Sequence, residues 1–92
     1  MARNIQLGFF GARGISVAEG LTDVGLDEVR MKRGMTEQCK RVIGLVDARK
    51  WGKVAAYTFA HLDGIETIFT DTNAPDDLVE EMRQHNVDVV LV

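Results

Sequence analysis

The sequence is poor in several things that would have pointed elsewhere. It has one cysteine, Cys39, so no internal disulfide can form and no second thiol is at hand for a metal site. It has one proline and no low-complexity stretch, which excludes a proline-rich linker or a disordered tail. No apolar run approaches the ~20 residues a membrane-spanning helix needs, and no signal-peptide pattern opens the chain, so a cytoplasmic location with no membrane partner is expected. Positive charge is also scarce: 11 basic against 14 acidic residues leave a net charge of -3, too little for the broad positive field that grips a nucleic-acid backbone. The chain is a poor DNA binder on its own. His61 and His85 have no metal-ligand spacing with each other or with Cys39, so surface or turn positions are expected of them, and no metal or cofactor.

What remains is a globular composition, 46% apolar and 27% charged, in 92 residues, enough for one domain with a modest core. Ile5 to Phe10 is a short apolar run ending at the glycine-punctuated GARG, the pattern of a buried strand entering a loop. Glycines 11, 14, 20 and 25 then recur too often for a helix, with too little alternation for a strand, and an ordered loop is predicted. From Asp27 to about Val42 the residues Met31, Met35, Cys39 and Val42 recur at helical spacing, opposite Arg30, Arg33, Glu37 and Arg41. An amphipathic helix with Met31, Met35 and Cys39 in the core is expected, acids in its first turn and Lys40 and Arg41 in its last.

Val42 to Val46 reads as a strand ending at Asp47, Ala55 to Leu62 as a short strand, and Thr67 to Thr70 as a third strand ending at Asp71. Asn73 and Pro75 signal a helix start, Leu78, Val79 and Met82 its buried face, and Asn86 a left-handed stop. Val87 to Val92 closes the chain as a strand. The alternation is that of an α/β fold, a mostly parallel sheet flanked by helices.

In such a sheet, ligands settle beyond the carboxyl ends of the strands, where loops and helix N-termini converge. The first strand delivers Gly11, Arg13 and Gly14 to that edge, the second Asp47, Arg49 and Lys50, the third Thr70 and Asp71, so one crevice is expected to collect them. Glycines let backbone N–H groups approach an anion, and Arg13 adds a fork of donors, although Gly11 and Gly14 can equally serve only to permit unusual backbone angles. Eight of the eleven basic residues fall between Arg30 and Lys53, a locally positive stretch suited to an anion. Lys32, beside the apolar stripe, and Lys50, just past a strand end, are the better candidates; Arg33, Lys40 and Arg41 fit a solvated face. Asp47 and Asp71 can bind hydroxyls, carry a proton or cap a turn, and Trp51 is read as a packed aromatic under the loop rather than a ligand platform.

Taken together the segments resemble a known family. GFFGARGISVAEGLTD resembles the glycine-rich signature of DeoR-family sensor domains, RMKRGM their basic helix motif, VDARKWGKVA their aspartate, lysine, aromatic and glycine turn, and ETIFTDTNAPDDLVEEMRQHNVDVVLV their closing strand, helix and strand. The resemblance covers essentially the whole chain in the right order. It implies a Rossmann-like fold shared with ribose-5-phosphate isomerase, glucosamine-6-phosphate deaminase and coenzyme A transferases, and a bacterial repressor module that binds a phosphorylated sugar or related metabolite without catalysis. Carried over by position, it implies ligand-facing roles for Gly11, Arg13, Gly14, Glu19, Gly20, Lys32, Asp47 and Lys50. Two positions depart from the family pattern, Arg13 and Arg49, where small residues are usual.

The resemblance also implies that residues 1–92 are the later portion of the sensor, truncated on its N-terminal side. The winged helix-turn-helix that would contact DNA is then absent, and exposed apolar surface and a homo-oligomer are expected. The alternative is an isomerase- or deaminase-like enzyme on the same fold, with Asp47, Asp71 or Glu19 as proton carrier.

Overall fold

The computed structural model describes residues 4–92. Strand β1 (Ile5–Gly11) is followed by β2 (Gly14–Ser16), β3 (Gly20–Asp23), helix α1 (Leu26–Gln38), β4 (Cys39–Leu45), β5 (Tyr57–Ala60), β6 (Thr67–Thr70), α2 (Asp76–Gln84) and β7 (Asp88–Leu91). Short 3₁₀ turns at Ala48–Lys50 and Leu62–Gly64 flank β5. The expected α/β architecture is present: β1, β4, β6 and β7 form a four-stranded sheet in sequence order, and every pairing within it is parallel.

The glycine-rich run is not a loop. Its segments β2 and β3 pair antiparallel with each other, and β3 pairs antiparallel with β5, making a second, three-stranded sheet. The expected alternation is missing because Gly20, Leu21, Thr22 and Asp23 are all buried, so neither face of β3 has to be polar. Gly20 takes φ +73°, and the Ala60 carbonyl occupies the space where a side chain would begin. That approach is open only to glycine.

The first helix is shorter than its sequence pattern suggested. It stops at Gln38, and Cys39, Lys40, Arg41 and Val42 belong to β4, so the apolar series at intervals of four straddles a helix and a strand. Met31 and Met35 are accordingly 60% and 46% exposed rather than buried, and Val29 is the buried residue of the helix. Lys32, one turn on from Val29, is the half-buried position that follows it inward. Helix α2 starts later than expected, with Pro75 at its N-cap and no side-chain cap from Asn73, while Val79 and Met82 are buried and Asn86 takes φ 67° as a left-handed stop.

All of the connections lie on one side of the parallel sheet. Strand order follows chain order, and right-handed crossovers then fall on a single face. Phe10, Val42, Ile68 and Val89 of that face share one core with Leu21 and Phe59 of the second sheet, Val29 of α1, and Val79 and Met82 of α2. Gly44 lets Leu21 and Ile68 close over the sheet. Phe9, Ile43, Leu45, Phe69 and Val90 lie on the opposite face, outside that core. No helix among the described residues is long and apolar enough to cross a membrane.

Candidate functional site

The register of the parallel sheet decides which residues meet. Gly11, Leu45, Phe69 and Val90 lie in one row across the four strands, the last shared row at the carboxyl ends. Asp47 follows two residues after Leu45, and Asp71 two residues after Phe69. Gly11, Asp47 and Asp71 therefore occupy the same rim.

Asp47 caps the 3₁₀ turn: its Oδ1 accepts from the Arg49 backbone N–H at 2.9 Å, and its Oδ2 pairs with the Arg49 guanidinium at 3.1 Å. The Arg49 hydrogen bonds hold its carboxyl below the usual carboxylate range, with the charge of Lys50 adding to the effect. Arg49 in turn is raised, by its hydrogen bonds and charge pairing with Asp47 first and then by the charge of Asp71. Asp71 is the open position. Its Oδ1 is enclosed and has no hydrogen-bond partner among the described residues, a costly condition for a carboxylate unless something else donates to it. Next to it, Trp51 packs as expected under the turn, 6% exposed, and its indole N–H donates to Thr70 Oγ1 at 3.1 Å.

Lys32 reaches the rim from α1, but its ammonium is already engaged. It donates to the Gly11 carbonyl at 2.9 Å and to Asp23 Oδ2 at 2.8 Å, pairs with Glu28 at 3.1 Å, and stands 4.8 Å above the Phe59 ring. Burial alone would raise the Asp23 carboxyl, yet the Lys32 and Val24 hydrogen bonds and the charges of Lys32 and Arg13 outweigh it and leave the acid below its ordinary value. Lys32 is likewise raised, because its contacts with Asp23 and Glu28 overcome the penalty of burial. Asp23 escaped the sequence reading: nothing in GLTD marks its carboxylate as buried, and only the folding of β3 against α1 makes it so.

Arg13 is exposed, with its backbone N–H bonded to the Thr22 carbonyl at 2.9 Å, and Gly14 is buried close to the Lys53 carbonyl. Glu19 and Gly20 are not brought to this rim. Gly20 packs under Ala60, and Ala60 lines an open hollow with Cys39, Ile65 and Glu66, at the amino ends of β4 and β6. Of the nine candidates, the register puts Gly11, Asp47 and Asp71 at one rim, Lys32 bonds to the Gly11 carbonyl there, and Arg13 and Lys50 are near enough to act on Asp23 and Asp47, whereas Gly14 packs against Lys53 and Glu19 and Gly20 stand at the opposite end of β3. The rim offers cations from Arg13, Arg49 and Lys50 and acceptors from Asp47 and Asp71, a set suited to an anion carrying hydroxyls. His61 and His85 are exposed, and no cluster of metal-ligating side chains occurs among the described residues.

Residues 2–72 match the family model of the DeoR C terminal sensor domain. The chain belongs to this family. Among similar proteins, the HTH-type transcriptional regulator GlpR of Haloferax volcanii is 36% identical over 87 residues, 95% of this chain and 34% of that protein. The HTH-type transcriptional regulator IolR of Bacillus subtilis is 31% identical over 96% of this chain and 35% of its own length. The glycerol-3-phosphate regulon repressor of Escherichia coli is 25% identical over 95% of this chain and 34% of its own length. The DeoR-type chain thus spans about a third of the curated relatives it matches. All three are regulators, and the DeoR module is a sensor domain rather than an enzyme, which turns the rim acids from candidate proton carriers into candidate ligand contacts.

Proposed function

We propose that this chain is the later portion of a DeoR-type sensor domain and that its carboxyl rim binds a phosphorylated sugar or a related phosphorylated metabolite. The observation that carries the reading is the enclosed Asp71 Oδ1, unpartnered among the described residues, on the rim that also presents Asp47, Lys50 and Gly11. A ligand hydroxyl donating to Asp71 would remove the cost of that orphan acceptor, while the phosphate would meet Lys50, Arg13 and the amide groups after Gly11. One relative is named for the glycerol-3-phosphate regulon and another for the L-fucose operon, which supports a small polyol or sugar effector. The finer fold kinship, with ribose-5-phosphate isomerase-like proteins, belongs to the same proposal.

In the full regulator, an effector with different affinities for two sensor arrangements would shift operator binding by a separate DNA-binding module, acting in the cytoplasm. Thermal unfolding with added glycerol 3-phosphate, fructose 1-phosphate and inorganic phosphate tests the binding step. A saturable rise in Tm is expected with at least one phosphorylated polyol. Ligand at 100 times its Kd stabilises by about 2.7 kcal/mol, roughly 10–20 °C for a domain of this size. Lys50→Ala and Asp71→Asn should each remove the rise. No rise with any phosphate-bearing compound would sink the proposal.

A further inference from the structure

Lys32 stands at the rim with no donor to spare. An ammonium carries three N–H groups, and all three are engaged within the protein. They meet the Gly11 carbonyl at 2.9 Å, Asp23 Oδ2 at 2.8 Å and Glu28 Oε1 at 3.1 Å, while the buried Phe59 ring closes the approach from another side, 4.8 Å away. Two carboxylates therefore surround one cation. The three groups together carry negative charge, which repels a phosphate at this point instead of drawing it in.

What the ammonium holds is the turn that follows β1. Among the described residues β1 is an edge strand, paired with β4 alone, and an edge carbonyl needs a donor from outside the ladder. Lys32 supplies that donor at Gly11. Two residues on, the Arg13 backbone N–H donates to the Thr22 carbonyl at 2.9 Å. Thr22 is joined through the chain to Asp23, whose Oδ1 accepts from the Val24 N–H at 2.8 Å and whose Oδ2 returns to Lys32. Gly11, Lys32, Asp23, Thr22 and Arg13 thus close a ring of contacts, and the turn is pinned at two points. Arg13 is the exposed cation that it carries.

We infer that Lys32 is a positioning residue: it makes no contact with the effector and acts by fixing the turn at residues 11–14, so that Arg13 is presented to the phosphate. The assignment rests on the phosphorylated-ligand reading of the rim, and it replaces the direct contact that the family resemblance implies for Lys32. Without the ammonium the turn samples other conformations, and a ligand has to order it on binding. Affinity then falls although no contact to the ligand has been removed.

Nuclear magnetic resonance on the 92-residue chain tests this in two steps, the first without ligand. In Lys32→Met the backbone order parameters of Ala12 and Arg13 should fall from the rigid value of about 0.85 toward the flexible range below about 0.6, with those of α2 unchanged. In the second step, titration with glycerol 3-phosphate and with inorganic phosphate should show binding weakened about tenfold by Lys32→Met, and that loss should vanish in an Arg13→Gln background, where Lys32 has no cation left to position. Lys32→Met combined with Asp23→Leu leaves no stranded carboxylate and gives both readouts should the single variant fold poorly. Arg33→Met removes a 2.8 Å hydrogen bond from the same helix to the Thr58 carbonyl and should change neither readout. A turn equally rigid without Lys32, or losses from Lys32→Met and Arg13→Gln that multiply as two direct contacts would, overturns the inference. A wild type that binds no phosphate-bearing compound sinks the effector reading instead, and the order parameters alone then decide whether Lys32 holds the turn.

Discussion

Lys32 concentrates several polar contacts of the carboxyl rim in one ammonium. Its side chain is 16% exposed and that of its partner Asp23 only 5%, so the pair is largely withdrawn from water, and removing one member strands the other. Lys32→Met is expected to lower the unfolding free energy by about 2–4 kcal/mol, and the double variant Lys32→Met, Asp23→Leu to lose clearly less than the sum of the single changes, as urea denaturation will show. The pH dependence follows from the direction of the shift. The Asp23 carboxyl is lowered in the folded state, so its contribution is complete above the ordinary value of 3.8 and is lost as pH falls through the lower, folded value. Lys32 is raised, so its contribution holds below 10.5 and is lost only at more alkaline pH. Acid titration of stability should therefore be shallower in Asp23→Asn than in the wild type below pH ~4. An equally steep acid limb in the variant would show that other carboxylates dominate.

At the scale of elements, two glycines that look alike in the sequence have opposite roles. Gly20 opens β3 at φ +73° beneath the Ala60 carbonyl, whereas Gly34 sits in the middle of α1 with nothing within 4 Å of an added Cβ. Gly20→Ala combines left-handed strain with a backbone clash and is expected to cost about 2–3 kcal/mol or prevent folding. Gly34→Ala should stabilise by about 0.5–1 kcal/mol, because alanine loses less entropy in a helix and has room here. Paired urea denaturation curves check both, and a stabilised Gly20→Ala would refute the account of β3. The same contrast explains how far the elements could be read. The runs at Ile5, Val42, Thr67 and Val87 announce strands because each packs several apolar residues into four to six positions. Strands β2 and β3 stay hidden because a strand buried on both faces, and built partly of glycine, has no alternation to read. The Met31, Met35, Cys39 series misleads for a related reason: a helix that passes directly into a strand keeps a four-residue spacing by coincidence, and the inward residue of α1 is Val29.

For the whole molecule the governing fact is that the connections of the parallel sheet lie on one side. That choice creates one complete core, a carboxyl rim with Gly11, Asp47 and Asp71 in register, and an opposite face on which Phe9 and Leu45 are exposed while Ile43 is buried.

By itself the sequence determined the family, the α/β class, the main strand ends and the rim that Gly11, Asp47 and Asp71 share, because short apolar runs followed by glycine or aspartate are local signals and a parallel sheet puts strand ends together. Tertiary structure alone decided that Lys32 is held by Asp23 and Gly11, that Asp71 keeps an oxygen unpaired among the described residues, and that Glu19 and Gly20 turn away from the rim. Each of these depends on contacts between segments far apart in the chain, such as Lys32 with Gly11 or Gly20 with Ala60, and no local spacing encodes which distant side chain will arrive.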